Sequence, residues 1–186
     1  MSKFPRIILG VTGSIAAYRA AELASSLTKE GVETDVILTD EALRFITPLT
    51  FAALTRREVY TSANDGMRDG QPAHISLADQ AGLAVIAPAT AHFIAQFAHG
   101  LAPDLLTSTL LATHAPVMIA PAMNGKMWHH AATQDNVNLL RKRGAVFIGP
   151  EEGLLACGYE GLGRLWPVAE IANEILARLK SKKKRA

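Results

Sequence analysis

The chain of 186 residues has a single cysteine, Cys157. A lone thiol excludes an internal disulfide framework, cannot hold zinc by itself, and fits a reducing, cytoplasmic setting. Long hydrophobic runs are also lacking: no window approaches the roughly 18 apolar residues of a membrane helix. The opening "MSKFPRIILGVTGS" has a basic residue and an apolar run, but the run is too short for a secretory core and leads into a glycine turn. Charge of one sign is scarce. The formal net charge is +2, and much of the excess lies in "KSKKKRA", residues 180–186. That segment reads as a disordered, solvated tail, and nothing upstream interleaves basic and aromatic side chains as a nucleic-acid site does. Neither nucleic acid nor membrane is therefore an expected partner. There is no internal repeat, low-complexity block or linker, so residues 1–179 read as one domain.

What is present is an apolar fraction of 49% arranged in short runs. "RIILGV" (6–11), "TDVILT" (34–39), "LAVIAPA" (83–89), "PVMIAPA" (116–122) and "AVFIGP" (145–150) lack polar alternation, as strands covered on both faces do. Between them stand segments with helical spacing at 14–31, 104–115, 134–144 and 168–180. Gly31 and Gly144 stand where helix C-caps are expected, and Asp104 where an N-cap is. The alternation predicts an α/β fold: an open parallel sheet with helices on both faces. Such sheets bind ligands at the carboxyl ends of their strands, and the unusual residues fall after the strands.

"GVTGSIAAY" (10–18) places a glycine and a serine between a strand and a helix, a corner suited to an anion. It is neither the G-x-G-x-x-G fingerprint nor a P-loop. An ordinary turn with a serine cap accounts for it equally. In "PAMNGKMW" (121–128), Asn124 offers an amide that can hold a carboxylate or ring carbonyl, and it also fits a helix cap. Met123, Met127 and Trp128 add surface for a flat cofactor, or core. His74 stands alone on position. His129 and His130 are adjacent but have no carboxylate or thiol at ligand spacing, so a metal site is not expected. Cys157 lies among Gly158, Gly161 and Gly163, a loop with the freedom to close, and Arg164 follows as an anion-holding candidate.

"GVTGSIAAY", "HISLADQAGLAVIAPATA", "PAMNGKMW" and "LLACGYEGLGRL", in this order, resemble the flavin-containing cysteine decarboxylases over roughly residues 6–178. The resemblance implies a Rossmann-like flavodoxin-type fold with FMN bound at a subunit interface of a homo-oligomer, a trimer or a dodecamer built from trimers. It implies an FMN site from Gly13, Ser14, Ile15, Thr39, Phe45, Pro88, Ala89, Thr90, Ala91 and Ala122. His74 and Cys157 would be catalytic, Cys157 as the proton donor. Asn124 would bind the substrate carboxylate, with Met127, Gly158 and Arg164 beside the substrate. The implied reaction converts 4'-phosphopantothenoylcysteine to 4'-phosphopantetheine in coenzyme A biosynthesis. Oxidation to a thioaldehyde creates an electron sink β to the carboxylate, CO2 leaves, and the enethiol is reduced. A separate phosphopantothenoylcysteine synthetase would then serve the same pathway. Where the family commonly has asparagine and threonine, "PATAHF" carries His92 and Phe93. The competing readings are decarboxylation of a peptide's C-terminal cysteine, a flavin prenyltransferase, and a non-catalytic regulatory subunit.

Overall fold

The computed structural model describes residues 4–62, 66–154, 156, 158 and 160–183. Its centre is a six-stranded sheet in the order β3-β2-β1-β6-β7-β8. The strands are β1 (Ile7–Val11), β2 (Thr34–Leu38), β3 (Val59–Tyr60), β6 (Leu83–Ala89), β7 (Val117–Pro121) and β8 (Val146–Phe147). Every pairing within it is parallel. Two antiparallel hairpins stand outside: β4 (Met67–Arg68) with β5 (Gln71–Pro72), and β9 (Glu151–Leu154) with β10 (Glu160–Arg164). The helices are α1 (Ala17–Lys29), α2 (Pro48–Thr55), α3 (Ala73–Gln80), α4 (Ala91–Ala98), α5 (Leu105–Ala112), α6 (Gly125–His129), α7 (Ala131–Lys142) and α8 (Val168–Lys183).

The unbroken apolar runs are buried on both faces, as expected. Ile7, Leu9 and Val11 point into one core with Leu23, Leu27 and the α8 stripe Ile171, Ile175 and Leu179. Ile8 and Ile86 point into the other, with Leu77, Phe93, Leu106 and Val137. Each fully buried aliphatic side chain contributes roughly 1.5–3 kcal/mol, so the stripe is a substantial part of what holds α8 on the sheet. Gly10 is needed for close packing, since a Cβ there would stand 2.6 Å from a Leu106 methyl.

Local chemistry sets the helix ends. Gly31, at φ +80°, closes α1: Val32 N–H donates to Leu27 O and Gly31 N–H to Thr28 O, both at 3.0 Å. Asp104 Oδ1 accepts from Thr107 N at 2.8 Å and starts α5 as predicted. Helix α8 continues through Lys183 and so takes in the first residues of the basic segment.

Strand order decides where a ligand fits. The chain runs outward from β1 to β3, then returns to place β6 on the other side of β1. This reversal opens a crevice at the carboxyl ends of β1 and β6. At the opposite edge lies a charged cluster. Asp35, only 3% exposed in its side chain, takes Arg57 Nη2 at 2.8 Å and Arg57 Nε at 2.9 Å. Arg6 and Arg68 each stand 3.7 Å from its other oxygen. Glu33 extends the cluster to Arg6 and Arg57 at 3.2 and 3.3 Å.

Candidate functional site

The crevice is laced together by backbone and hydroxyl groups. Thr12 Oγ1 donates to Pro88 O at 2.8 Å and accepts from Thr90 N at 3.0 Å. Thr90 Oγ1 accepts from Phe93 N at 3.2 Å and caps α4. Ala122 N–H donates to Ala89 O at 3.0 Å, tying the end of β7 to that of β6. The polar groups of this edge are thus fixed before any ligand arrives.

Two cavities open there. The first, about 590 Å³, is lined by Gly13, Ser14 and Ile15, by Thr90, Ala91 and Ala122, and by Asn124 and Met127. Leu154, Ala156, Gly163 and Arg164 of the β9–β10 hairpin reach over it. The second, about 350 Å³, shares Gly13, Thr90 and Met127 with the first and adds Thr39, Glu41, His92 and Gln96. Asn124 serves two ends: its Oδ1 accepts from Lys126 N at 2.9 Å and caps α6, and the residue also faces the first cavity. The helix-cap reading of that position is thereby met. Trp128 belongs to the core at 6% exposure, whereas Met127 is half exposed.

The Gly13 corner has a definite geometry. Ser14 N–H donates to Thr12 O at 2.8 Å, and Ser14 Oγ accepts from Ala16 N at 3.2 Å. The Gly13 and Ile15 amides have no hydrogen-bond partner among the described residues. A Cβ on Gly13 would lie 2.3 Å from that of Glu41, so only glycine lets the two loops meet. The hairpin is joined to the asparagine loop in a similar way. Gly163 O accepts from Met123 N at 2.9 Å, and a Cβ on Gly163 would fall 2.2 Å from Met123 O. Arg164 pairs with Glu151 across the hairpin base at 3.6 Å.

Not every expected residue lines these cavities. Pro88 and Ala89 line neither; their carbonyls accept from Thr12 Oγ1 and Ala122 N–H and so fasten the ends of β1 and β7. Phe45 follows a short turn at Ala42–Arg44, is 46% exposed, and lines neither cavity. His74 occupies the first turn of α3, half-buried, and also lines neither. Gly158 is exposed at φ +89°, and Cys157 lies outside the described residues. The two departures at 92 and 93 both line the second cavity; Phe93 is in addition buried and stacks on Phe97, with ring centroids 5.9 Å apart. Tyr18 and Arg19 line the first cavity unanticipated. With Ile15 they form an i, i+3, i+4 set, the spacing that could have revealed them.

Over residues 1–180 the sequence matches the family described as Flavoprotein. It is 50% identical over 159 residues to the coenzyme A biosynthesis bifunctional protein CoaBC of Bacillus subtilis, covering 86% of this chain and 39% of that protein. The chain thus spans about two-fifths of the length of such bifunctional relatives. It is 42% identical to a probable phosphopantothenoylcysteine decarboxylase of Streptococcus mutans, covering 94% of this chain and 98% of that one. Among solved structures, a cysteine-to-serine PPC decarboxylase mutant complexed with pantothenoylaminoethenethiol superposes with TM-score 0.83 at 30% identity, covering 94% of this chain and 98% of that one. The FMN-dependent cysteine decarboxylase SpaF superposes with TM-score 0.80 at 35% identity, covering 93% and 96%.

Proposed function

Because the chain belongs to the flavoprotein family, alongside the phosphopantothenoylcysteine decarboxylases, we propose that it decarboxylates 4'-phosphopantothenoylcysteine to 4'-phosphopantetheine with FMN. One observation carries this reading: a single cavity joins the Gly13–Ser14–Ile15 corner, Asn124 and the glycine-rich hairpin. The corner fits a phosphate ester, since the Gly13 and Ile15 amides are unpartnered among the described residues at the end of a parallel strand. The small residues Ala91 and Ala122 leave width for a flat ring. Bound FMN supplies a two-electron acceptor that later returns the hydride.

The chain's own groups do the rest. With Asn124 Oδ1 turned to Lys126 N–H, Nδ2 is the end that presents a donor to the substrate carboxylate. A neutral amide holds that carboxylate without protonating it, which departure as CO2 requires. His74 accepts the substrate thiol proton or fixes the thiol's orientation. Cys157 delivers a proton to carbon after CO2 has left, since a thiol with a reference pKa of about 8.5 is a competent acid near neutrality. The hairpin, joined to the asparagine loop at Gly163, covers the site and excludes water. The cysteine-to-serine relative with its bound pantothenoylaminoethenethiol supports this assignment of Cys157.

Arg19 and Arg164 are the cations of the first cavity and suit the substrate phosphate. They favour the phosphorylated substrate over a peptide ending in cysteine. A second copy of the chain completes the site: Ile15, Tyr18 and Met127 are 58, 64 and 50% exposed at its mouth, and His74 reaches neither cavity within one chain. A trimer, or a dodecamer of trimers, working in the cytoplasm alongside a separate synthetase, is the assembly we propose. The direct test is anaerobic turnover of 4'-phosphopantothenoylcysteine against a peptide with a C-terminal cysteine. Preference for the former is expected; it should be lost in the parent when the substrate phosphate is removed, and should already be weakened in Arg19→Gln with the phosphate present. Turnover of the peptide alone would overturn the substrate assignment.

A further inference from the structure

Helix α3 carries His74 but is poorly equipped to hold itself in place. It has eight residues and no side-chain N-cap, and a helix this short is marginal without tertiary ties. Its buried face, Ala73 and Leu77, packs against Leu106 and Leu110 of α5, and Thr113 Oγ1 donates to Ala78 O at 3.0 Å; its other flank is tied by the β4–β5 hairpin just before it. Asp69 and Gly70 form the hairpin turn at φ +52° and +80°, the pair of left-handed conformations that an Asp-Gly sequence accommodates. From that turn the Asp69 carboxylate reaches back onto α3. Its Oδ2 accepts from Ser76 Oγ at 2.9 Å and from Gln80 Nε2 at 3.0 Å, and Gln80 Nε2 also donates to Ser76 Oγ at 2.9 Å. Ser76 is fully buried under this strap.

The strap is itself anchored. Arg68 Nε stands 3.5 Å from Asp69 Oδ2, while Arg68 Nη1 faces buried Asp35 of β2 at 3.7 Å. The same guanidinium lies 5.0 Å from the centre of the Tyr60 ring on β3. Arg6, at the entry to β1, hydrogen-bonds Gln80 Oε1 at the far end of α3. Ser76 and Gln80 are four apart and share one flank of the helix. His74, two residues before Ser76, is turned about 200° away from that flank. The strap therefore grips α3 without covering the imidazole.

We infer that Asp69 is a positioning residue: strapped across Ser76 and Gln80 and tied through Arg68 to the sheet, it fixes the place of His74 in the decarboxylation site. This rests on the role proposed above for His74. Asp69→Gly keeps the left-handed turn and deletes the carboxylate, and Asp69→Asn keeps a side-chain oxygen for Ser76. In FMN-loaded enzyme, Asp69→Gly should lower kcat about ten-fold with KM near the parent value, the scale expected when a reacting group is displaced by part of an ångström. Asp69→Asn should restore most of that loss. In holoenzyme labelled at histidine Cε1, the single His74 signal of the parent should broaden or split in Asp69→Gly, a change that general destabilisation would not confine to one histidine. Either readout left at the parent value in Asp69→Gly overturns the inference. His74→Gln measured in parallel separates the failures. A fully active His74→Gln overturns the catalytic role of His74, whereas an inactive His74→Gln beside a fully active Asp69→Gly overturns the strap alone.

Discussion

The two edges of the sheet are built by opposite means. At the carboxyl edge, the crevice between β1 and β6 is organised by threonine hydroxyls, carbonyls and close glycine contacts, with Arg19 and Arg164 as the cations of the larger cavity. At the amino edge, Asp35 is buried among Arg6, Arg57 and Arg68. Backbone and hydroxyl groups cost little to present to an incoming phosphate and carboxylate, because they carry no full charge that must first be desolvated or displaced. A buried ion cluster does the reverse. It is hard to rearrange, and it fixes strand ends and the hairpin before α3 in one relative position. Binding is thus left to the carboxyl edge, where two arginines join the backbone and hydroxyl groups, and anchoring to the buried ion cluster at the amino edge.

The largest expected effect tests the anchor. Asp35→Ala leaves three guanidinium groups facing a vacated site, and urea unfolding of the holoprotein should show a loss of about 3–5 kcal/mol. A loss under about 1 kcal/mol would erase the contrast between the edges. Next comes the carboxyl edge. Gly163→Ala forces the hairpin away from Met123 O and should cost about 1–3 kcal/mol of stability. Its kcat should fall about a hundred-fold, because the asparagine loop moves with the hairpin. Thr90→Ala removes the α4 cap and should cost about 1 kcal/mol in the same unfolding assay, with weaker FMN retention on gel filtration.

The smallest effect lies at high pH. Burial, the main cause, pushes the Tyr60 hydroxyl up to about 12, although Arg68 beside it acts in the other direction. An unfolded tyrosine ionises near 10, so between about 10 and 12 the folded chain holds a proton that the unfolded chain has lost. Stability therefore falls as pH rises through that window, and Tyr60→Phe should flatten this limb of a pH–stability curve.

Much of the fold was legible in the residues. The apolar runs at 34–39 and 83–89 became β2 and β6 almost to the residue, because strands buried on both faces need no alternation. Gly31 and Asp104 ended and began helices for reasons visible in one residue type each. The run at 145–150 shrank to the two-residue edge strand β8. Helices α2, α3 and α4, strand β3 and both hairpins went unanticipated, since each is short and held by tertiary ties rather than by its own periodicity. The glycine corner, Asn124 and the hairpin were found by motif and do meet in one cavity. The places of His74 and Phe45 outside it depend on how α3 and the turn after β2 pack, which no local spacing encodes. The charged edge was invisible for the same reason: Arg6, Asp35, Arg57 and Arg68 are scattered in sequence and meet only in the folded sheet.

The most direct test of the account is a single-turnover experiment on FMN-loaded Cys157→Ser, mixed anaerobically with 4'-phosphopantothenoylcysteine. One CO2 per bound FMN, a bleached flavin spectrum and a product two hydrogens short of 4'-phosphopantetheine are predicted, with none of the three when Asn124→Leu is added. No CO2 and an unchanged flavin spectrum from Cys157→Ser, beside an active parent, would contradict the assignment of Cys157 to the step after CO2 leaves. The same result from the parent chain would contradict the decarboxylase reading itself.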